Sequence, residues 1–190
     1  MSIGKSELIL NADGSIYHLG LLPDDIAPLI ITVGDPNRVE GVSKYFDKII
    51  LKKSKREFLT HTGVLNEKPI SVVSTGIGTD NIDIVLNELD ALFNIDFASR
   101  TVKDVKTPIK IVRIGTSGAI QPDIEVGSFV LSAYAIGLDG LLHFYQDSDS
   151  TTARALVQLQ THLDWGDAGL VPYMFVCNDD LRKRFPPNIF

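Results

Sequence analysis

Three apolar, β-branched runs in the first 118 residues each stop abruptly at glycine. Pro28-Leu-Ile-Ile-Thr-Val33 ends at Gly34, the run Pro69 to Thr75 ends at Gly76-Ile77-Gly78, and Pro108-Ile-Lys-Ile-Val-Arg-Ile114 ends at Gly115-Thr116-Ser117-Gly118. Short continuous runs of this kind are the pattern of strands buried on both faces. Two of the glycine turns lead into helical patterns. Asp35-Pro36 starts one: Asp is a good N-cap, Pro is favoured at the first helical position, and Val39, Val42 and Phe46 follow at helical spacing. The other starts at Thr79 or Asp80, with Ile82, Val85, Leu86, Leu89 and Leu92-Phe93 on one face and Asp83, Asn87, Glu88 and Asp90 largely on the other. This rhythm of strand, glycine turn and helix predicts an α/β architecture around a largely buried sheet.

The segments between these runs complete the expected elements. Lys48 to Lys53, Arg56 to Val64 and Pro69 to Thr75 read as strands, with Asn66-Glu67-Lys68 as the tight connection of a hairpin between the last two. Asp96 to Thr107 reads as a solvated loop, Val126 to Gly137 as a further strand, and Thr151 to Leu163 as an amphipathic helix with Ala155, Leu156, Leu159 and Leu163 inward. Met1 to Leu22 mixes Gly, Ser, Asn and Asp with short apolar pieces, Tyr17 and His18 among them. It reads as an arm that must dock to become ordered. Asn178 to Phe190 is charged and Pro-rich and does not read as the end of a domain.

Composition narrows the function. A chain of 190 residues with 44% hydrophobic positions supports one globular domain and excludes disorder. Eighteen Lys and Arg against 24 Asp and Glu leave a net charge of −6, which argues against a nucleic-acid partner because there is no basic excess to neutralise phosphate backbones. The apolar runs are far shorter than the ~20 residues a membrane-spanning helix needs, and the N-terminus does not read as a signal peptide, so a cytoplasmic protein is expected. Cys177, the single cysteine, rules out a disulfide framework or a dithiol pair and is expected as a small core residue. His18, His61, His143 and His162 show no metal-ligand spacing.

Arg113 carries the most chemical information. A guanidinium at the end of an apolar strand, directly before Gly-Thr-Ser-Gly, is costly unless it meets an opposite charge. The turn offers backbone N–H groups and the hydroxyls of Thr116 and Ser117, so the ensemble suits a phosphate; a core carboxylate paired with Arg113 is the plainer alternative. Arg38, expected in the first turn of a helix where the dipole disfavours a cation, is explained either by a bound anion or by simple solvent exposure. Gly76-Ile77-Gly78 is only a weak dinucleotide signal, since Asn81 stands where a third glycine would fall. No Gly-x4-Gly-Lys loop occurs. Three anion-suited turns at the ends of neighbouring strands predict one phosphate-binding crevice.

Taken in order, Tyr17-His-Leu-Gly-Leu21, Gly34-Asp-Pro-Asn-Arg38, Arg56-Glu-Phe58, Ser74-Thr-Gly-Ile-Gly78 and Arg113-Ile-Gly-Thr-Ser-Gly-Ala-Ile-Gln-Pro122 resemble the nucleoside phosphorylase family, and its uridine-cleaving members most closely. The resemblance spans most of residues 16 to 140. It implies a three-layer αβα sandwich around a mixed, largely buried sheet, formed by residues 1–190 as a single domain with residues 1–22 as its docking arm. It also implies phosphorolysis of a nucleoside to free base and ribose 1-phosphate, with inorganic phosphate as co-substrate and no cofactor. On the matching positions, Gly34, Arg38, Arg56, Arg113 and Thr116 would bind phosphate, with Arg38, Arg113 and Thr116 carrying catalysis and His18 and Thr116 meeting the ribose. Arg56 and His18 would reach into a neighbouring subunit's site, which implies a homodimer or a hexamer built of dimers. No metal is required. Glu57 matches a glutamate that in some relatives helps hold a monovalent cation at the dimer interface.

Family members continue beyond the matched region into a segment that reads the base and grips the ribose hydroxyls, and its motifs have no counterpart here. The chain is therefore expected to be truncated at its C-terminus, with base specificity carried elsewhere. The alternatives are a purine nucleoside phosphorylase, a nucleosidase of the same superfamily, a non-catalytic phosphate- or nucleoside-binding module and, more remotely, a dinucleotide-dependent oxidoreductase. Three arginines argue against the nucleosidase, which has no phosphate to hold.

Overall fold

In the computed structural model, residues 2–145, 161 and 172–185 are described. The chain divides into two compact units, Met1–Ser117 and Gly118–Phe190. The first is built on a five-stranded mixed sheet: β1 (Leu29–Val33), β2 (Lys48–Lys55), β3 (Phe58–Leu65), β4 (Lys68–Ser74) and β7 (Lys110–Ile114), in the order β2-β3-β4-β1-β7. β4, β1 and β7 run parallel, while β2 and β3 join as antiparallel hairpins.

The period of two along each strand sends apolar side chains to both faces of this sheet. Val33, Val39 and Val72 form one core with Val42 packed against it, so helix α1 (Asn37–Ser43) covers that face. Ile30, Phe58, Val73, Val85, Leu89 and Leu92 form the other, so α2 (Thr79–Asn94) covers the opposite face. These are the three layers implied by the family resemblance. The helices that follow β1 and β4 leave to opposite faces, so the carboxyl ends of these adjacent strands mark a topological switch point, the usual ligand position in an open α/β sheet.

The arm docks on its own chain. Leu8, Ile16, Leu19 and Leu21 are buried in the core beneath α2. The Ile3 amide donates to the Arg100 carbonyl at 2.8 Å, and the Arg100 guanidinium donates to the carbonyls of Ile3, Gly4 and Leu8. Arg100 belongs to the segment expected as a solvated loop. That segment instead carries a two-stranded ribbon, β5 (Ile95–Asp96) with β6 (Thr101–Val102), because it receives the arm.

The turns follow local chemistry. Asn66 and Glu67 close the β3–β4 hairpin with φ of 50° and 63°, as a two-residue connection between right-twisted strands demands. α1 starts one residue later than expected, with Pro36 as its N-cap; Asp35 supports the start from just outside, its Oδ1 accepting from the Asn37 amide at 2.9 Å. Arg56, expected at the start of a strand, sits instead in the two-residue turn joining β2 to β3, at φ 55°.

In the second unit, β8 (Tyr134–Gly137) pairs antiparallel with β9 (Tyr173–Val176). The strand expected over 126–137 is confined to its last four residues; the preceding stretch makes no described ladder, and Gly127 turns the chain at φ 90°. Tyr173 donates to Asp139 at 2.8 Å, and partial burial together with that carboxylate pushes its phenol up to about 12. Cys177 is half-buried, not a core residue. Asn178 caps the short helix Asp179–Arg182 by accepting from the Leu181 amide. Apart from Thr161, which is helical, the helix expected over 151–163 lies outside the described residues, as do the histidine at 162, the last five residues and the side chain of His143.

Candidate functional site

The three glycine turns lie side by side. Thr32 is in register with Arg113 on one flank of β1 and with Val73 on the other, so Gly34, Thr75–Gly76 and Gly115 emerge together from the carboxyl ends of three parallel strands. Gly76 and Gly78 adopt φ of 68° and 101°, left-handed values that favour glycine, which explains the Gly-x-Gly without any dinucleotide.

Arg113 reaches from β7 across the end of β1. Its Nη1 stands 3.3 Å from Thr75 Oγ1, and a Cβ built on Gly34 would lie 3.6 Å from its Nη2 and 3.7 Å from the Gly76 carbonyl oxygen. A side chain at position 34 would thus stand in contact with the guanidinium and with the Gly76 carbonyl. Arg113 is exposed, so water solvates its charge and the cost expected for a guanidinium at the end of an apolar strand does not arise; among the described residues it forms no ion pair, so the core carboxylate considered as its partner is not found. Thr116, just beyond β7, and Arg38, in the first turn of α1, are both exposed. Thr75 is buried and was not anticipated as part of the site.

A second cluster forms where the arm meets the β2–β3 turn. The Tyr17 ring lies under the Lys55 ammonium at 4.8 Å and the Arg56 guanidinium at 5.6 Å, and meets the His18 imidazole edge-on at 4.8 Å. Lys55 also donates to Asn11 Oδ1 and to the Tyr17 carbonyl. Arg56 at φ 55° is the first residue of the two-residue β2–β3 turn, where positive φ is usual, as at Asn66 in the next hairpin. His18 is held by Glu88 of the same chain, Nδ1 to Oε1 at 2.7 Å.

Glu57 connects the two clusters. Its Oε1 accepts from Asn81 Nδ2 at 3.1 Å, its backbone carbonyl accepts from the Ser74 hydroxyl at 2.7 Å, and its Cγ lies 3.0 Å from where a Cβ on Gly76 would be. Among the described residues no group of three or more His, Cys, Asp or Glu could hold a metal ion, and no helix is long and apolar enough to cross a membrane.

Besides Thr75, sequence reasoning missed Glu88, and it showed Asn81 only as a missing glycine, not as a partner of Glu57. Glu88 reads as part of the polar face of α2, yet its side chain is only 12% exposed. Its partner lies 70 residues away, a separation that no local pattern reports.

Comparison with known proteins converges on one group. Residues 28–184 match the family model described as the phosphorylase superfamily. The chain is 40% identical to uridine phosphorylase of Escherichia coli over 132 residues, 68% of this chain and 47% of that protein. It is 36% identical to uridine phosphorylase of Thermococcus kodakarensis over 128 residues, 67% of this chain and 41% of the relative. It therefore spans about half the length of the curated relatives it matches. Among solved structures, a Trypanosoma brucei nucleoside phosphorylase described as showing uridine phosphorylase activity superposes with a TM-score of 0.77 at 30% identity, over 93% of this chain and 59% of its own.

Proposed function

We propose that this chain, which belongs to the phosphorylase superfamily, cleaves the N-glycosidic bond of a nucleoside with inorganic phosphate, uridine being the substrate and uracil and ribose 1-phosphate the products. The observation that carries the reading is Arg113 arching over Gly34 to Thr75 at the switch point of the sheet, with no carboxylate partner among the described residues. A phosphate dianion would accept charge-assisted hydrogen bonds from this guanidinium.

In this reading Gly34, Arg38, Arg113 and Thr116 bind the phosphate and Thr116 also meets the ribose. Arg56 and His18 of a second copy complete the site, His18 at the 5′-hydroxyl, so the working unit is at least a homodimer. The glycosidic bond lengthens first and the sugar gains oxocarbenium character. Phosphate held beneath the ring by the arginines then stabilises the developing cation and attacks the anomeric carbon. The electron pair of the broken bond leaves with the base. Positioning and electrostatics carry the rate, and no covalent enzyme intermediate or organic cofactor is involved. Glu57 is a candidate ligand for a monovalent cation at the subunit interface. The setting we propose is the cytoplasm.

The test is a cleavage assay on the purified chain with uridine, inosine and adenosine, following released base with and without phosphate. Uracil release that requires phosphate supports the reading. Preference for inosine or adenosine makes the protein a purine phosphorylase, and release without phosphate makes it a nucleosidase. No release from a folded chain leaves a binding module.

A further inference from the structure

Glu88 makes an unusual set of contacts for a carboxylate on the middle of a helix. Its Oε1 lies 2.7 Å from His18 Nδ1 and accepts from the His18 amide at 2.9 Å, while Oε2 accepts from the same amide at 3.1 Å and from the Leu19 amide at 2.8 Å. Two of these donors are backbone N–H groups, which have no alternative role. An acceptor facing three nitrogens leaves only one arrangement for the neutral imidazole: Nδ1 carries the proton and donates it to Glu88, and Nε2 is left with a lone pair.

The surroundings make this arrangement rigid. Glu88 is flanked on α2 by Val85, Leu89 and Leu92, all buried against the sheet, so the carboxylate is anchored to the core. Leu19, next to His18, is buried in the same core. The Tyr17 ring meets the imidazole edge-on at 85° and is itself covered by Lys55 and Arg56. His18 itself keeps 25% of its side chain exposed.

We infer that Glu88 is the positioning residue for His18, fixing the imidazole with Nδ1 protonated and presenting Nε2 as an acceptor for a substrate hydroxyl. The inference rests on the phosphorolysis reading for the identity of that hydroxyl, the ribose 5′-OH, and on the geometry alone for the tautomer. A hydroxyl that donates to Nε2 is recognised; a sugar lacking it is not. Glu88 thereby contributes to substrate choice without touching substrate.

Two measurements test it. In ¹⁵N-labelled protein, at a pH where the imidazole is neutral, two-bond ¹H–¹⁵N spectra should show His18 as the Nδ1-protonated tautomer in the wild type. The preference should be lost in Glu88→Gln and partly retained in Glu88→Asp. A wild-type His18 protonated on Nε2 overturns the inference, and this readout needs no turnover. In kinetics, Glu88→Gln should lower kcat/KM for uridine about tenfold while changing that for 5′-deoxyuridine by less than about twofold, the size of one lost hydrogen bond. Equal losses on both substrates would make Glu88 a structural prop and overturn the role. Should Glu88→Gln fail to fold, Glu88→Asp takes its place: a partial loss of the tautomer preference with a selective loss on uridine supports the role, and equal losses on both substrates overturn it. A wild type that turns over neither substrate contradicts the phosphorolysis reading, and the spectrum then decides the tautomer by itself.

Discussion

The Arg113 guanidinium spans the full width of β1 to place Nη1 3.3 Å from the hydroxyl of Thr75 on β4. Thr75 in turn is fixed by its amide, which donates to the Val33 carbonyl at 2.8 Å, and by its hydroxyl near the Val33 and Gly76 carbonyls. The arginine is therefore steered by the strand ends it crosses. Thr75→Val keeps the shape and removes the steering oxygen. It should weaken phosphate binding by about three- to tenfold, the worth of a typical hydrogen bond, with a stability loss near 1 kcal/mol. A phosphate titration alongside a urea melt checks both.

Two glycines separate binding from folding. A Cβ on Gly34 makes only ordinary contacts, at 3.6 and 3.7 Å, so Gly34→Ala should fold with nearly unchanged Tm while crowding the place where an anion approaches the backbone and lowering phosphate affinity. A Cβ on Gly63 would lie 2.2 Å from the Lys48 carbonyl oxygen and 2.9 Å from the Phe46 ring. Gly63→Ala should cost about 1–3 kcal/mol or more, as overpacking does. Thermal melts of the two variants should diverge, and a destabilised Gly34→Ala would show that the space over Gly34 is structural.

His61 gives the fold a pH dependence. It is 2% exposed, with Nδ1 2.8 Å from Ser43 Oγ, and burial first, then the charge of Lys52, lowers its pKa below the usual 6.5. The unfolded chain binds a proton there more readily than the folded one. The stability from the buried neutral ring is therefore complete above about pH 6.5 and is lost as pH falls toward the folded-state value. Urea unfolding at pH 7.5 and 5.5 should show a smaller drop for His61→Asn than for the wild type. An equal drop would remove His61 as the cause.

Glu67 sits at φ 63° in the second turn position of the β3–β4 hairpin, where glycine is preferred. Glu67→Gly should raise stability by about 0.5–1 kcal/mol, since the left-handed conformation costs an L-residue roughly that or more. Denaturant midpoints measure the gain, and phosphate affinity should stay unchanged.

The parts legible in the sequence were those whose cause is local. β1, β4 and β7 announce themselves because each is an apolar run ended by glycine, and α1 because Asp35-Pro36 is followed by Val39, Val42 and Phe46 at helical spacing. Their adjacency at one end of the sheet follows from the general behaviour of parallel α/β units. What was not legible depends on contacts distant in the chain. Arg100 reads as a solvated loop residue until the arm's carbonyls arrive, and Glu88 reads as surface until His18 does. Val126 to Ala133 has strand-like composition, yet composition cannot supply a partner strand.

The central claim is that Arg113 and the turns around it bind inorganic phosphate. The most direct measurement is a calorimetric titration of phosphate into the wild-type chain and into Arg113→Ala. Because Arg113 is exposed, its removal should change stability by no more than about 0.5 kcal/mol. Loss of a charge-assisted contact should cost at least about tenfold in affinity. Saturable binding to the wild type, abolished or strongly weakened in a folded variant, is the predicted result. Equal affinity in both proteins would contradict the account and move the phosphate site elsewhere.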